Sequence, residues 1–188
     1  MDAATKLALR AADGDRESLD AWIELCYRLV WRYCATMTST DRADELTQDT
    51  FEKALRALPT FRGHSAATTW LIGIARHVCI DQLRSDYRRD HAHQQLAALR
   101  PPNRAAEPAD RTLLLDMINQ LGHERREAFV LTQLLGFSYE EAARICCCPI
   151  GTIRSRLARA RTELLAGTER ADNIPRRRRH NRPAVNKE

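Results

Sequence analysis

The fold is decided by residues 137–165, which read FSYEEAARICCCPIGTIRSRLARARTELL. Ser138 is a good N-cap, and Glu141 completes a capping box, so a helix begins here. The run CCCP at 146–149 ends this helix, because proline cannot continue a helix interior. A second helix is predicted to start at 149–152, because the following apolar residues recur on one face at helical spacing: Ile153, Leu157, Ala160 and Leu164.

The other faces of the second helix are basic and polar. They carry Arg154, Ser155, Arg156, Arg159 and Arg161. A short helix, a sharp turn and an arginine-rich second helix form a helix-turn-helix, whose second helix can enter the DNA major groove. A helical hairpin with a solvated basic face is the alternative interpretation of the same pattern.

Three stretches together resemble one protein family. PIGTIRSRLARAR at 149–161 is similar to the recognition helix of the extracytoplasmic-function sigma factors, the small alternative initiation subunits of bacterial RNA polymerase. ADELTQDTF at 43–51 resembles that family's polymerase-binding segment, and TWLIGIARHVCIDQLR at 69–84 resembles its promoter-melting helix. The resemblance implies an alternative sigma factor that binds core RNA polymerase and directs promoter-specific initiation at −10 and −35 elements.

Composition independently favours an all-α protein. The chain has 188 residues, of which 44% are hydrophobic and 29% charged, with only 7 glycines and 7 prolines. The net charge of +5 is mild for a nucleic-acid binder, so the distribution of charge matters more than its total. We expect a cytoplasmic location, because no apolar run approaches the roughly 20 residues of a membrane span and the N-terminus lacks a signal-peptide core.

Two small helical domains joined by a flexible linker are predicted. Residues 1–90 form the first domain, which resembles sigma region 2 and is assigned polymerase binding and −10 recognition and melting. Residues 91–110 contain three prolines and form the linker, with a helical start. Residues 111–167 form the second domain, which resembles region 4 and is assigned −35 recognition. The tail 168–188, with PRRRRHNRP at 175–183, is expected to be basic and disordered.

The predicted helix at 41–58 carries an outward acidic and amide-bearing face. From composition alone this is an ordinary solvated face. The resemblance implies that it docks on the clamp helices of the polymerase's largest subunit, through Asp44, Glu45, Leu46, Gln48, Asp49 and Phe51. The flap of the polymerase is a further partner that the family implies.

A loop and the helix after it are implied to hold the −10 element. The loop at 60–68 supplies cationic and aromatic side chains that suit a flipped base, namely Phe61, Arg62 and His64. The helix predicted over 69–88 presents Arg76, His77, Asp81, Arg84 and Arg88 to unpaired DNA and phosphates. His77 stands where the family usually has asparagine, so the base read at this position is open.

The −35 element is implied to meet Thr152, Arg154, Ser155, Arg156, Arg159 and Arg161. Cys147 stands in the preceding turn, where the family usually has glycine. The sequence leaves two conformations open there: an ordinary right-handed backbone, or a strained turn.

We predict no metal, no cofactor and no enzymatic activity. The 6 cysteines are interpreted as small buried hydrophobes, since three consecutive cysteines splay their side chains away from any common ion. His91 and His93 lack an accompanying cysteine or carboxylate cluster. No nucleophile stands with a base and an orienting group.

Two alternative functions compete with initiation: a one-component helix-turn-helix regulator, and a helical adaptor that binds protein or RNA. We also expect the two domains to hide each other's DNA surfaces in the absence of polymerase, or to be held by an anti-sigma protein. The sequence does not show whether such a protein exists.

Overall fold

The computed structural model describes residues 1–97 and 113–172, with the side chains of 1–89 and 116–166. Most of the predicted linker and tail lies outside these residues. The described part consists of helices and their connections. They are α1 (Ala3–Ala12), α2 (Arg16–Met37), α3 (Thr40–Ala57) with a 3-10 turn (Leu58–Thr60), α4 (Ala67–Ala97), α5 (Leu113–Gln120), α6 (His123–Phe129) with a π-helical continuation (Val130–Leu134), α7 (Tyr139–Ile145) and α8 (Ile150–Asp172).

The first domain contains α1 to α4 packed around aromatic rings. The fully buried Trp22 of α2 meets Phe51 of α3 edge-on, with ring centroids 5.9 Å apart, and meets Trp70 of α4 at 6.2 Å. Such pairs add stabilisation beyond the apolar area they bury. These three helices therefore form a rigid base on which the outward faces of α3 and α4 are held.

Helix α4 is longer than the predicted 69–88. It begins at Ala67, whose backbone N–H donates to the Thr5 hydroxyl of α1 at 2.9 Å, so a side chain from a distant helix satisfies one of its free N–H groups. Its end at Ala97 lies inside the segment predicted as linker. Residues 91–97 contain no proline or glycine and are rich in alanine, glutamine and leucine, which favour helix.

The second domain contains α5 to α8, and recognisable capping signals mark its helix ends. Gly136 has φ +76°, as a left-handed residue after a helix end should. Ser138 and Glu141 form the predicted capping box: the Ser138 hydroxyl accepts from the Glu141 N–H, and the Glu141 carboxylate accepts from the Ser138 N–H. Helix α8 continues to Asp172, past the predicted start of the tail at 168.

The turn between α7 and α8 is strained, which settles the question that the sequence left open. Cys147 has φ +52°, in the left-handed region that glycine adopts without steric cost. Its side chain is exposed and Cys148 is half-buried, so the interpretation of all cysteines as buried hydrophobes is wrong for these two. Cys147 lies at the left-handed position of the turn, and Cys148 Sγ lies 3.8 Å from Arg156 Nη1 of α8. Cys26, Cys34, Cys79 and Cys146 are buried, as expected.

The two domains pack against each other. Helix α4 lies on α7, and α2 contacts α6 and its π-helical continuation. The buried apolar residues form one continuous cluster that includes both Ile72 of α4 and Ala142 of α7. The domains thus share a core in this arrangement.

Replacing Cys147 with glycine should stabilise the second domain. The left-handed conformation costs a non-glycine residue about 1–2 kcal/mol, of which the greater entropy of unfolded glycine offsets about 0.5–1 kcal/mol. We expect the free energy of unfolding in urea to rise by roughly 0.5–1 kcal/mol. Cys148→Gly is the matched control. It should not stabilise the protein, since the described positive-φ residues do not include Cys148. An unchanged or lower stability of Cys147→Gly would contradict the strain.

Candidate protein and nucleic-acid interfaces

The motif on α3 divides into an outward and an inward set. Asp44, Glu45, Gln48 and Asp49 are exposed. Leu46 is only 1% exposed and Phe51 only 7%, so the structure places these two predicted polymerase-binding residues in the core of the first domain. They hold α3 against α2, and the acidic and amide groups are left facing solvent.

Helix α2 adds aromatic residues to the α3 face that sequence reasoning missed. The Trp31 indole N–H donates to Asp44 Oδ1 at 2.9 Å, and the Tyr27 hydroxyl lies 3.4 Å from the same oxygen. The Tyr27 ring also stacks on Phe51, with centroids 6.3 Å apart and planes 5° apart. Since 13 and 17 residues separate these partners from Asp44, no local pattern marks them. The Asp44 carboxylate is therefore oriented by α2.

The loop before α4 places only part of its predicted site at the surface. Phe61 is 6% exposed and packs on Trp70 with centroids 4.9 Å apart, so it belongs to the core and is no open aromatic wall. Arg62 and His64 are exposed, and Arg62 Nη1 donates to the Pro59 carbonyl at 2.7 Å. Gly63 has φ +70°, and a Cβ there would meet Leu9 of α1 at 3.4 Å. The loop is thus folded closely over α1.

Helix α4 presents most of its predicted polar face to solvent. His77, Asp81, Arg84 and Arg88 are all exposed. His77 Nδ1 lies 2.8 Å from the Gly73 carbonyl, one turn back, which orients the ring along its own helix. These four side chains form one exposed row, at the spacing that the sequence predicted.

Arg76 behaves differently, because a carboxylate of the second domain holds it. Arg76 Nε donates to Glu127 Oε1 at 2.9 Å, and the Tyr33 hydroxyl donates to the same oxygen at 2.8 Å. The Arg76 side chain is 19% exposed and that of Glu127 only 1%. Burial and the Glu127 carboxylate raise the pKa of Tyr33 well above its usual value. For Arg76, burial lowers the pKa, but the Glu127 carboxylate outweighs this effect, so the net shift is upward.

Sequence reasoning missed Glu127, although one signal was present. Glu127 lies three and four residues before Val130 and Leu131, which are both fully buried, so helical spacing puts this carboxylate on the apolar face. A buried charge at such a position needs a hydrogen-bonding partner. The partners, Tyr33 and Arg76, lie 94 and 51 residues away from Glu127 in the chain.

The arginines of α8 fall into two groups: some are exposed, and others contact a side chain elsewhere in the second domain. Arg154, Ser155 and Arg159 are exposed, while Ile153 and Leu157 behind them are buried. Arg156 pairs with Glu124 at 2.7 Å, and Arg161 donates to Gln133 Oε1 at 3.1 Å. Thr152 is half-buried, and its carbonyl accepts from the Ser155 hydroxyl.

The expectation that each domain hides the DNA surface of the other is wrong for the second domain. The contact between the domains uses α6 and α7, so the outward face of α8 stays exposed. On the first domain, the contact between the domains covers Thr69, which is 5% exposed and lies 3.3 Å from Glu141. The same contact covers most of the Arg76 side chain.

Among the described residues, no group of three or more histidine, cysteine or acidic residues is placed to hold a metal ion. None of the described helices is long and apolar enough to cross a bilayer. The side chains of His91 and His93 lie outside the described residues.

Two family models match the chain, one on each domain. Residues 9–89 match Sigma-70 region 2, and residues 111–164 match Sigma-70 region 4. The chain is 44% identical over 174 residues to the ECF RNA polymerase sigma factor SigC of Mycobacterium tuberculosis, covering 91% of this chain and 94% of that one. It is 36% identical over 134 residues to the sigma factor EcfG of Rhodopseudomonas palustris, covering 68% and 72%.

Solved structures agree with these relatives. The sigma factor RpoE of Bartonella quintana, solved in complex with the anti-sigma factor NepR, is 31% identical, with a TM-score of 0.67 and coverage of 81% of this chain and 98% of that one. CnrH, solved with the cytosolic domain of CnrY, shares the fold at 23% identity and a TM-score of 0.69, with coverage of 90% and 99%. The two family models match one domain each, and the alignment with the SigC relative spans 91% of the chain. The chain therefore belongs to the ECF RNA polymerase sigma factors, alternative initiation factors that direct promoter-specific transcription.

Proposed function

We propose that the two domains divide the work of initiation between them. Residues 1–90 bind core RNA polymerase and melt the −10 region, and residues 111–167 read the −35 element in duplex form. The observation that carries this proposal is the exposed row of Arg154, Ser155 and Arg159 on a helix-turn-helix whose opposite side is fully packed. A buried inner side holds the helix rigid, and the outer side has the chemistry for a major groove.

The docking surface for polymerase is the exposed part of α3, formed by Glu45, Gln48 and Asp49, with Asp44 held beside them by Trp31. By family resemblance, the partner is the clamp helices of the largest subunit. Complementary charge favours encounter and fixes the register of two helices, so an acidic face suits a basic partner helix. Leu46 and Phe51 act from inside, by positioning α3.

The −10 surface combines the loop and α4. Arg62 and His64 stand at the loop, and His77, Arg84 and Arg88 continue the surface along the exposed side of the helix. Cationic side chains along a groove track phosphates, and the imidazole rings can stack on bases. Asp81 can accept from the exocyclic amino group of a cytosine. Phe61 is left out of this surface, because its ring is buried.

In this proposal the chain binds and positions, and the polymerase carries out the catalysis. The protein would act in the cytoplasm, where bacterial RNA polymerase works. The complex of the Bartonella relative with NepR supports an anti-sigma factor as a partner for this chain as well.

Reversing charge on α3 should weaken polymerase binding. Gln48→Lys combined with Asp49→Lys puts positive charge opposite a basic partner helix, where like charges are costly. A pull-down with core polymerase should lose most of the bound chain, while circular dichroism stays unchanged.

Asp13→Lys combined with Gln120→Lys serves as the control, since both residues are exposed and the net charge changes equally. This control should bind like the unmodified chain. Equal binding of both double variants would contradict the assignment of α3.

The arginines of α8 should show two different signatures. Arg154→Ala or Arg159→Ala should cost about 1–3 kcal/mol at the preferred sequence and relax preference at one base pair. Arg161→Ala, which removes a side chain tied to Gln133, should weaken all sequences alike and lower the salt slope by about one unit. Transcription from promoter variants at several salt concentrations measures both effects. If all three variants keep the original promoter ranking and strength, α8 does not read the −35 element.

A further inference from the structure

Helix α1 carries none of the residues assigned to polymerase or DNA, yet it contacts the loop at 61–66, here called the −10 loop, and the start of α4. The Thr5 hydroxyl accepts from the Ala67 N–H at 2.9 Å, where α4 begins. Leu9 lies beside Gly63, in the middle of the loop, where an added Cβ would stand 3.4 Å from the Leu9 side chain. One helix therefore contacts both the middle of the −10 loop and the residue that follows it.

The Thr5 hydroxyl is oriented by a carboxylate of its own helix end. It donates to Asp2 Oδ2 at 2.7 Å, and the Thr5 N–H donates to Asp2 Oδ1 at 2.9 Å. Burial acts to raise the pKa of the Asp2 carboxyl, but the hydrogen bonds to it outweigh this effect, so the pKa is lowered. An ionised carboxylate only accepts, so it takes the single hydroxyl proton of Thr5 and leaves the oxygen lone pairs for the Ala67 N–H.

The exposed residues of the −10 loop stand between fixed points. Arg62 and His64 are exposed, and they flank Gly63, which lies against α1. Phe61 before them and Ala67 after them are both buried. Binding residues on a loop are precise only when a rigid scaffold positions the loop. The positions of the Arg62 and His64 side chains therefore depend on where α1 holds the loop backbone.

We propose that α1 is a positioning element of the −10 site: Thr5, oriented by Asp2, and Leu9 hold the −10 loop so that Arg62 and His64 meet the unpaired strand. The inference rests on the proposed role of the first domain in −10 binding. The three α1 residues act through the loop and have no contact with DNA of their own.

The hydroxyl of Thr5 matters because the donor it satisfies is buried. Thr5 is 3% exposed and Ala67 is fully buried, so water does not replace this hydrogen bond in the native structure. A buried N–H without a partner is costly, and the first turn of α4 relieves this cost by moving, together with the loop that leads into it. Only the fraction of molecules with the loop in place then binds DNA at full affinity.

The test removes each α1 contact separately in the full-length chain. Thr5→Val removes the hydroxyl and keeps the size of the side chain, whereas Thr5→Ser keeps the hydroxyl. Leu9→Ala weakens the contact with the loop independently. Thr38→Val is the matched control, because it removes a hydroxyl of the same domain that donates at 2.8 Å to the Cys34 carbonyl of the preceding helical turn.

Fluorescence anisotropy measures how the reconstituted complex of chain and core polymerase binds a labelled single strand of DNA. The strand is the non-template strand over the −10 element of a promoter mapped from transcripts after overexpression. Thr5→Val should raise the half-saturating concentration of the complex at least about threefold, within the roughly two- to tenfold change that one hydrogen bond typically represents. Leu9→Ala should shift it in the same direction. Thr5→Ser and Thr38→Val should bind like the unmodified chain.

Two further readouts separate positioning from a general loss of stability. The pull-down with core polymerase should be unchanged for Thr5→Val, because the exposed docking residues stand on α3, whereas a destabilised domain would lose polymerase and DNA together. In the free chain, hydrogen exchange at the Ala67 amide should become faster in Thr5→Val and stay slow in Thr5→Ser, since only the first variant removes its acceptor.

The possible outcomes distinguish this proposal from the function it rests on. Equal affinity of Thr5→Val and the unmodified chain for the strand would overturn the positioning role and leave the proposed function intact. A loss in Thr5→Ser as large as that in Thr5→Val, or a parallel loss of polymerase binding, would overturn it as well. Failure of the unmodified complex to retain the strand would instead overturn the proposed −10 function of the first domain.

Discussion

The arrangement of the two domains depends on how Glu127 is satisfied. Removing one partner from a buried ion pair typically costs about 3–5 kcal/mol, because the remaining charge is stranded. Both donors to Glu127 lie across the domain boundary, so loss of either donor would strand this charge as long as the domains stay packed. The other polar contacts between the domains, from Arg32 to the Leu134 carbonyl and from Thr69 to Glu141, involve more exposed groups.

Packing and recognition are divided between neighbouring residues of the same motifs. Leu46 and Phe51 build the core beneath α3, and Gln48 and Asp49 remain outside. Ile153 and Leu157 anchor α8 in the same way, while its arginines face solvent. A family motif therefore contains buried residues that pack the helix against the domain and exposed residues that form its outer surface. The burial of each side chain distinguishes the two sets. The groups proposed to meet polymerase and DNA stand on helices whose backbone is fixed by these apolar partners.

Local features of the structure could be predicted from the sequence, and long-range ones could not. The capping box at Ser138 and the inward row on α8 follow from rules that act over a few residues, and both predictions are confirmed. The residue type of Phe61 suits base stacking and predicts an open site, whereas contact with Trp70 buries the ring. The contact of Glu127 with Tyr33 joins residues 94 positions apart, and no periodicity encodes such a distance.

The most direct test of this account is an electron cryo-microscopy structure of the chain with core RNA polymerase on its promoter. The account predicts that the acidic face of α3 lies against the largest subunit. It also predicts that the exposed row of α4 lies on the −10 element and that the exposed row of α8 lies on the −35 element. A complex in which α3 faces solvent, or in which α8 lies away from the duplex, would contradict it.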